Sequence, residues 1–128
     1  SSLIRIPAEG RGGTRIELRS PDSAANPYLT FAVCLKAGLD GMMHRIEPPR
    51  SVDCNIYSMT DEERHALGIR NLPGTLHEAV EEMKTDRLVL DVLGKHIAEK
   101  YIEAKEAEWQ RYRASVSEWE IQEYLYRY

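Results

Sequence analysis

Three charged residues alternate with apolar ones in the stretch "TRIELR" (14–19). Arg15, Glu17 and Arg19 are spaced two residues apart, so on a β-strand their side chains share one face, roughly 7 Å apart. A carboxylate oxygen suits Mg²⁺ or Mn²⁺, whereas guanidinium groups suit phosphate and carboxylate groups. The row is therefore either a solvated sheet face or part of a site for a polyanion and a hard metal ion. The second interpretation requires further metal ligands from elsewhere, because one carboxylate cannot hold a metal alone.

The segments around this row predict a small β-structure. "LIRIP" (3–7) alternates apolar and charged residues and ends at a proline, which is typical of a short strand. "AEGRGG" (8–13) is a glycine-rich loop, and 14–19 is a second strand in which Ile16 and Leu18 pack inward or against a helix. The two strands could form a hairpin. Since two strands alone are marginally stable, we expect them to belong to a larger sheet.

Helix signals dominate the rest of the chain. Asn26 followed by Pro27 predicts the start of an apolar helix over 27–46. Three S/T-x-x-E spacings predict capping boxes and helix starts near 61, 76 and 118. A long helix is predicted from about 86 to 114, with one apolar face formed by Leu90, Leu93, Ile97, Tyr101 and Ala104. The predicted fold class is α+β, mainly α-helical with two N-terminal β-strands.

Composition excludes several classes of protein. The 128 residues carry a net charge of −4, which argues against nucleic-acid binding because phosphate neutralisation needs a basic surface. No apolar run reaches membrane-spanning length. Two cysteines without CxxC spacing favour a reducing, cytoplasmic location. The four histidines lack ligand spacing, and no G-x-S-x-G motif indicates a serine hydrolase.

Two further features leave alternatives open. Tyr57 lies in the loop "CNIYSM", where a tyrosine is either a packing residue or, less commonly, a modified one. The C-terminal segment "SEWEIQEYLYRY" has a heavy aromatic load for a short helix. Aromatic-rich surfaces mark interfaces, so composition alone allows docking either on the same domain or on another subunit.

The order of the motifs resembles a known family. "LIRIP", a glycine loop, "TRIELRSPDSAANPYL", "AGLDGM", "NIY", "LPGTLHEAVEEM" and the aromatic tail follow one another as in the C-terminal part of bacterial type I glutamine synthetase. The resemblance implies a guanido-kinase-like catalytic barrel and ATP-dependent ligation of ammonia to L-glutamate through γ-glutamyl phosphate, with Mg²⁺ or Mn²⁺. The alternatives are a γ-glutamylpolyamine synthetase-type ligase and a stand-alone helical assembly or interaction module.

The resemblance also implies roles for individual residues. Glu17 matches a metal-ligand glutamate, and Arg19 matches the arginine that contacts the L-glutamate substrate. Arg5 matches an arginine that binds ATP phosphate. Arg11 and Arg15 lie near nucleotide-contacting positions and are assigned to ATP binding as well. These assignments make the stretch 14–19 one part of a larger catalytic site.

The resemblance predicts an organisation beyond the site. We expect 1–20 to form strands of the active-site sheet, 26–116 the helical part, and 117–128 a C-terminal inter-subunit helix. The family assembles as a dodecamer of two hexameric rings, with the helix 118–128 docking on another subunit. Because the sequence starts without Met and the remaining family ligands would lie upstream of Ser1, we expect this chain alone to be inactive. Tyr57 matches the tyrosine adenylylated in one subset, but the tail favours the feedback-regulated subset.

Overall fold

The computed structural model describes residues 3–7 and 15–127, which fall into two units divided between Arg70 and Asn71. The first unit begins with two short strands, β1 (Ile4–Arg5) and β2 (Glu17–Leu18). They pair antiparallel, with Ile4 opposite Leu18 and Arg5 opposite Glu17. The predicted strands and their pairing are confirmed, although the regular part of each strand is only two residues long.

The apolar side chains of β2 and its flank are exposed. Ile16 is 68% and Leu18 40% accessible to solvent. The expectation that these two side chains pack inward or against a helix is therefore wrong for the described structure. A two-residue strand pair has too little surface to bury them, and no element within residues 3–7 and 15–127 covers them.

Helix α1 spans Pro27–Met43 and starts where the sequence predicts. The Asn26 side-chain oxygen accepts hydrogen bonds from the backbone N–H groups of Tyr28 (3.0 Å) and Leu29 (3.3 Å), satisfying two donors of the first turn. The helix ends three residues before the predicted 46, because Arg45 adopts a left-handed φ of 51°. The backbone N–H of Ile46 then donates to the Gly41 carbonyl at 2.9 Å, which closes the end of the helix.

The apolar residues of α1 have no cover within the described chain. None of its residues is buried, and several large side chains are mostly exposed: Tyr28, Phe31, Leu35, Met42 and Met43. An apolar helix of this kind is normally buried against other elements.

The first unit ends with two short elements. A 3-10 turn, Ile56–Ser58, lies in the connection after α1, and helix α2 follows at Asp61–Ala66. The predicted capping box is present: the Thr60 hydroxyl accepts the Glu63 N–H, and the Glu63 carboxylate accepts the Thr60 N–H at 2.8 Å.

The second unit is helical. Helix α3 (Leu76–Thr85) and helix α4 (Arg87–Ala114) are joined at Asp86, whose side chain caps α4 by accepting the Val89 N–H at 3.1 Å. A short helix α5 (Glu118–Glu120) continues into a π-helical turn (Ile121–Leu125). Of the described residues, those that are buried all lie in this unit: Val80 of α3, and Leu93 and Ala98 of α4.

Helix α4 is broken at Gly94. This glycine has φ 69° and ψ 158°, outside the helical region, so the helical phase is reset at that point. The predicted apolar face is wrong beyond it: Ile97 is 46% and Tyr101 38% exposed, whereas Ala98 is only 4% exposed. After Ala98, the half-buried residues of α4 include Ile102 and Trp109.

The prediction of a mainly helical α+β chain with two N-terminal strands is confirmed. None of the helices in the described ranges is long and apolar enough to cross a membrane.

Candidate active site

The carboxylate of Glu17 is bound by guanidinium groups from two directions. Arg5, directly opposite on β1, donates from Nη1 to Oε2 at 2.9 Å. Arg15, two residues earlier along the chain, donates to Oε1 from Nη2 at 3.0 Å and from Nε at 3.2 Å. Both carboxylate oxygens therefore have charged donors, and this is the centre of the candidate site.

The two arginines also fix the charge of Glu17. The hydrogen bond from Arg5, the larger effect, and that from Arg15 lower the pKa of the Glu17 carboxyl below its ordinary value, with both positive charges acting in the same direction. Glu17 is thus an anion at neutral pH. Its side chain is 32% exposed and those of Arg5 and Arg15 about half exposed, so the cluster is open to a ligand from solvent.

The observed cluster differs from the predicted row. The sequence places Arg15, Glu17 and Arg19 together, and the structure pairs Arg15 with Glu17 as that spacing predicts. Arg19 is held through its backbone N–H, which donates to the Leu3 carbonyl at 2.9 Å, while its side chain makes no ion pair with any residue that the structure describes. The contact of Arg5 with Glu17 depends on strand register, which the sequence spacing does not reveal.

Arg11 and Tyr57 are the other residues that the sequence singled out. Arg11, assigned to ATP binding, lies outside the described residues. Tyr57 lies on the 3-10 turn with its side chain largely exposed. Its backbone N–H donates to the Asn55 side chain at 3.1 Å.

The C-terminal segment begins with the predicted capping box. The Ser117 hydroxyl accepts the Glu120 N–H at 3.2 Å, and the Glu120 carboxylate accepts the Ser117 N–H at 2.7 Å. Trp119 and Tyr124 then meet edge-to-face with ring centroids 5.9 Å apart. Trp119 is 63% and Tyr124 57% exposed, so this aromatic pair presents its surface to solvent.

The donor set at Glu17 fits one position of a metal site. Carboxylate oxygen is the ligand type that Mg²⁺ and Mn²⁺ prefer. No group of three or more His, Cys, Asp or Glu side chains in the described part of the chain is arranged to hold a metal. A metal ion bound at Glu17 would therefore need further ligands.

A second polar cluster, which the sequence did not indicate, joins α3 to α4. Lys84 on α3 donates to Glu81 at 2.6 Å and forms an ion pair with Glu106 on α4 at 2.5 Å. Next to it, the rings of His77 and Trp109 lie nearly parallel with centroids 6.1 Å apart, beside a cavity of about 420 Å³. The His77 ring therefore packs against Trp109.

Comparisons with known proteins identify the family of this chain. The family model described as "Glutamine synthetase, catalytic domain" matches residues 1–124. The chain belongs to the glutamine synthetase family. It is 53% identical over 126 residues to the glutamine synthetase of Thermotoga maritima and 51% identical over 125 residues to that of Methanosarcina mazei, covering 98% of this chain in both cases. The family resemblance of the motifs is confirmed.

A structural comparison agrees with this assignment. A solved structure described as "Apo GmaS without ligand" is 36% identical, with a TM-score of 0.77 over 96% of this chain and 27% of its own. The chain spans 29% of the Thermotoga maritima protein and 28% of the Methanosarcina mazei protein. The family is thus established for a segment that is under one third as long as these relatives.

Proposed function

We propose that this chain supplies the arginine and glutamate groups of the catalytic site in an ATP-dependent glutamate–ammonia ligase, acting in the cytoplasm. The observation that carries the proposal is the Glu17 carboxylate held between Arg5, which lies opposite it on β1, and Arg15, which lies two residues before it. Arg19 follows two residues after Glu17. Family membership and relatives named glutamine synthetase support the same reaction.

The chemistry of the cluster fits phosphoryl transfer. Ligation through γ-glutamyl phosphate moves the γ-phosphoryl group of ATP to the side-chain carboxylate of glutamate, and ammonia then displaces the phosphate. The negative charge that develops on the transferred group is stabilised by guanidinium donors and by a divalent cation. Arg5 and Arg15 supply two such donors. We assign Arg11 to the same nucleotide region.

Glu17 would hold Mg²⁺ or Mn²⁺ through a carboxylate oxygen, and the cation would neutralise phosphate charge when bound. The lowered pKa of Glu17 keeps the carboxylate ionised, as a metal ligand must be. The Arg19 side chain makes no ion pair within the described residues. Its guanidinium group is therefore available to the α-carboxylate or γ-carboxylate of L-glutamate. The other ligands of the site would come from outside this chain.

Kinetics of the whole protein test these roles separately. Arg19→Gln should raise the KM for L-glutamate by roughly 10- to 100-fold, since a hydrogen bond to a charged group contributes about 1.5–3 kcal/mol. Arg5→Gln should instead raise the KM for ATP. The control is Arg50→Gln, which removes an exposed arginine remote in sequence from the cluster. Equal effects of Arg19→Gln and Arg50→Gln on the KM for L-glutamate would contradict the assignment.

The amine substrate separates two related ligases. The second candidate is a γ-glutamylpolyamine synthetase-type ligase, the alternative that the sequence motifs leave open within the same family. Product analysis with ATP, L-glutamate and either ammonia or a polyamine distinguishes them. Glutamine as the favoured product supports our proposal, whereas a γ-glutamylpolyamine as the favoured product supports the alternative. If neither product forms with ATP, the helical interaction module becomes the better explanation.

We further propose that residues 117–128 dock on another subunit of a dodecamer built from two hexameric rings. The exposed aromatic pair of Trp119 and Tyr124 supports this role, because aromatic surfaces are enriched at interfaces. Removing 118–128 from the whole protein should convert dodecamers to hexamers in light-scattering measurements. An unchanged dodecamer would contradict the assignment.

Modification of Tyr57, which is exposed, is the lesser possibility, and intact-mass analysis for an added AMP tests it.

A further inference from the structure

The carboxylate that we assign to a metal ion is already occupied by cations of the protein itself. A carboxylate offers about four lone-pair positions for hydrogen bonds. Arg15 uses two at Oε1, at 3.0 and 3.2 Å, and Arg5 uses one at Oε2, at 2.9 Å. One position remains at Oε2, and a divalent cation placed there would lie beside the positive charge of Arg5.

We propose that Arg5 and Arg15 form a counter-ion clamp on Glu17, so that a divalent cation and the two guanidinium groups compete for the same oxygens. This inference rests on the proposed function, because it takes Glu17 as a metal ligand. A cation that takes the remaining position at Oε2 meets the positive charge of Arg5, and a cation that binds Oε1 displaces Arg15. A cation that binds both oxygens displaces both arginines.

The backbone explains why the clamp acts on Glu17 from two sides. Arg5 is fixed opposite Glu17 by the register of β1 and β2. Arg15 is two residues away along the chain, where alternate side chains of an extended segment share a face. The clamp is therefore formed by the strand pair itself and needs no bound ligand to assemble.

Displacement of the arginines has a consequence for the second ligand. A guanidinium group that leaves Glu17 can donate its N–H groups to phosphate oxygens. The planar guanidinium geometry is well suited to such bidentate hydrogen bonds. Cation binding to Glu17 thus prepares the arginines for the nucleotide. By thermodynamic reciprocity, phosphate binding to the arginines favours cation binding to Glu17 by the same factor.

Arg19 provides a matched control within the same segment. It lies two residues after Glu17, as Arg15 lies two residues before it, but its side chain makes no ion pair with the described residues. Replacing Arg15 or Arg19 by Gln removes the same charge at the same sequence distance. Only the first replacement removes a hydrogen bond to Glu17.

The test is a titration of the whole protein with Mn²⁺ at physiological salt, without ATP or glutamate, followed by electron paramagnetic resonance of the free ion. Arg5→Gln and Arg15→Gln should each lower the Kd for Mn²⁺ about three- to fivefold, the upper range for exposed ion pairs. Arg19→Gln should lower it by less than about twofold, because salt screens exposed charges. In a Glu17→Gln background, Arg5→Gln should have no larger effect than Arg19→Gln.

The Kd values distinguish a wrong metal assignment from a wrong clamp. If Glu17→Gln leaves the Kd for Mn²⁺ unchanged, the metal assignment in the proposed function is wrong and the clamp is wrong with it. If Glu17→Gln weakens Mn²⁺ binding but Arg5→Gln and Arg15→Gln change the Kd no more than Arg19→Gln does, only the clamp is wrong. Should a Gln variant fail to fold, Arg15→Met against Arg19→Met repeats the comparison, because methionine keeps an unbranched apolar stem and removes the charge. Equal Kd values for those two variants also overturn the clamp.

Discussion

Gly94→Ala should destabilise the unit that starts at Asn71. Gly94 has φ 69° and ψ 158°, a region that is essentially restricted to glycine and costs about 1–3 kcal/mol for other residues. A Cβ at this position would meet nothing within 4 Å, so the penalty comes from the backbone and not from a clash. Alanine also restricts the unfolded chain, which offsets about 0.4–1 kcal/mol. We therefore expect a net loss of about 1–2 kcal/mol.

Urea unfolding followed by tryptophan fluorescence measures this loss. Both tryptophans, Trp109 and Trp119, lie in the unit from Asn71 onward, so the signal reports on that unit. With a slope of about 1 kcal/mol per molar urea for a small unit, the midpoint should fall by roughly 1–2 M.

Gly74→Ala is the matched control for Gly94→Ala. A Cβ at Gly74 would lie 3.5 Å from Glu78 Oε2, an ordinary van der Waals distance, and Gly74 does not have the positive φ of Gly94. We expect its midpoint to stay within about 0.5 M of the unmodified chain, since substitutions without a special backbone or packing role change stability by about 0.5 kcal/mol or less. The explanation of the helix break would be refuted if the two glycine variants had the same midpoint.

Two further predictions concern the contact between α3 and α4. Val80→Ala, at a side chain only 4% exposed, should cost about 1.5–2.5 kcal/mol in urea unfolding, against less than about 0.5 kcal/mol for Val116→Ala at a 70% exposed position; equal losses would contradict the assignment of Val80 to the core. Lys84 lowers the pKa of Glu81, so their contribution to stability is present above pH 4.5 and is lost as the pH falls through the folded-state pKa. The hydrogen bond that Lys84 donates to the Glu106 carboxylate raises the pKa of Lys84, so the contribution of this pair to stability is present below pH 10.5 and is lost as the pH rises through the folded-state pKa. Lys84→Met should therefore be less stable than the unmodified chain at pH 7 and about equally stable at pH 3, and a difference that persists at pH 3 would contradict the ion-pair explanation.

The helix starts could be predicted from the sequence because their signals are local. Asn26, Thr60 and Ser117 each accept a backbone N–H two or three residues later, as their spacing predicts. The Thr75 hydroxyl likewise accepts the Glu78 N–H, but the Glu78 carboxylate does not accept the Thr75 N–H as in a capping box. The Glu78 carboxylate accepts the N–H of Gly74, one residue earlier than a capping box requires. The choice between these two neighbouring donors is not encoded in the spacing.

The break at Gly94 was the main miss within the helices. A single glycine inside a helical pattern is tolerated in many helices, so the sequence did not show that this one leaves the helical region. Its backbone conformation shifts the buried face from Ile97 and Tyr101 to Ala98 and Ile102. Before Gly94 the predicted apolar face is correct, with Leu93 buried and Leu90 half-buried, and only after Gly94 is it wrong in phase.

The candidate site was predictable in composition and only partly in geometry. The alternation within 14–19 predicts that Arg15 meets Glu17, and the structure has that ion pair. The ion pair of Arg5 with Glu17 depends on the register between two short strands, which the spacing of residues in the sequence does not fix. The exposure of Ile16 and Leu18 was also missed, because sequence patterns do not reveal which surfaces lack a covering element.

Glutamine formation by the whole protein carrying Glu17→Gln tests directly the proposal that Glu17 is a metal ligand in an ATP-dependent ligase. At saturating ATP, L-glutamate, ammonia and Mg²⁺, we predict that kcat falls about 100-fold or more, the loss typical of removing one electrostatic group from a phosphoryl- or acyl-transfer site. Glu47→Gln, which neutralises an exposed carboxylate outside the strand pair, should leave kcat unchanged. A Glu17→Gln enzyme with the kcat of the Glu47→Gln enzyme would contradict the claim.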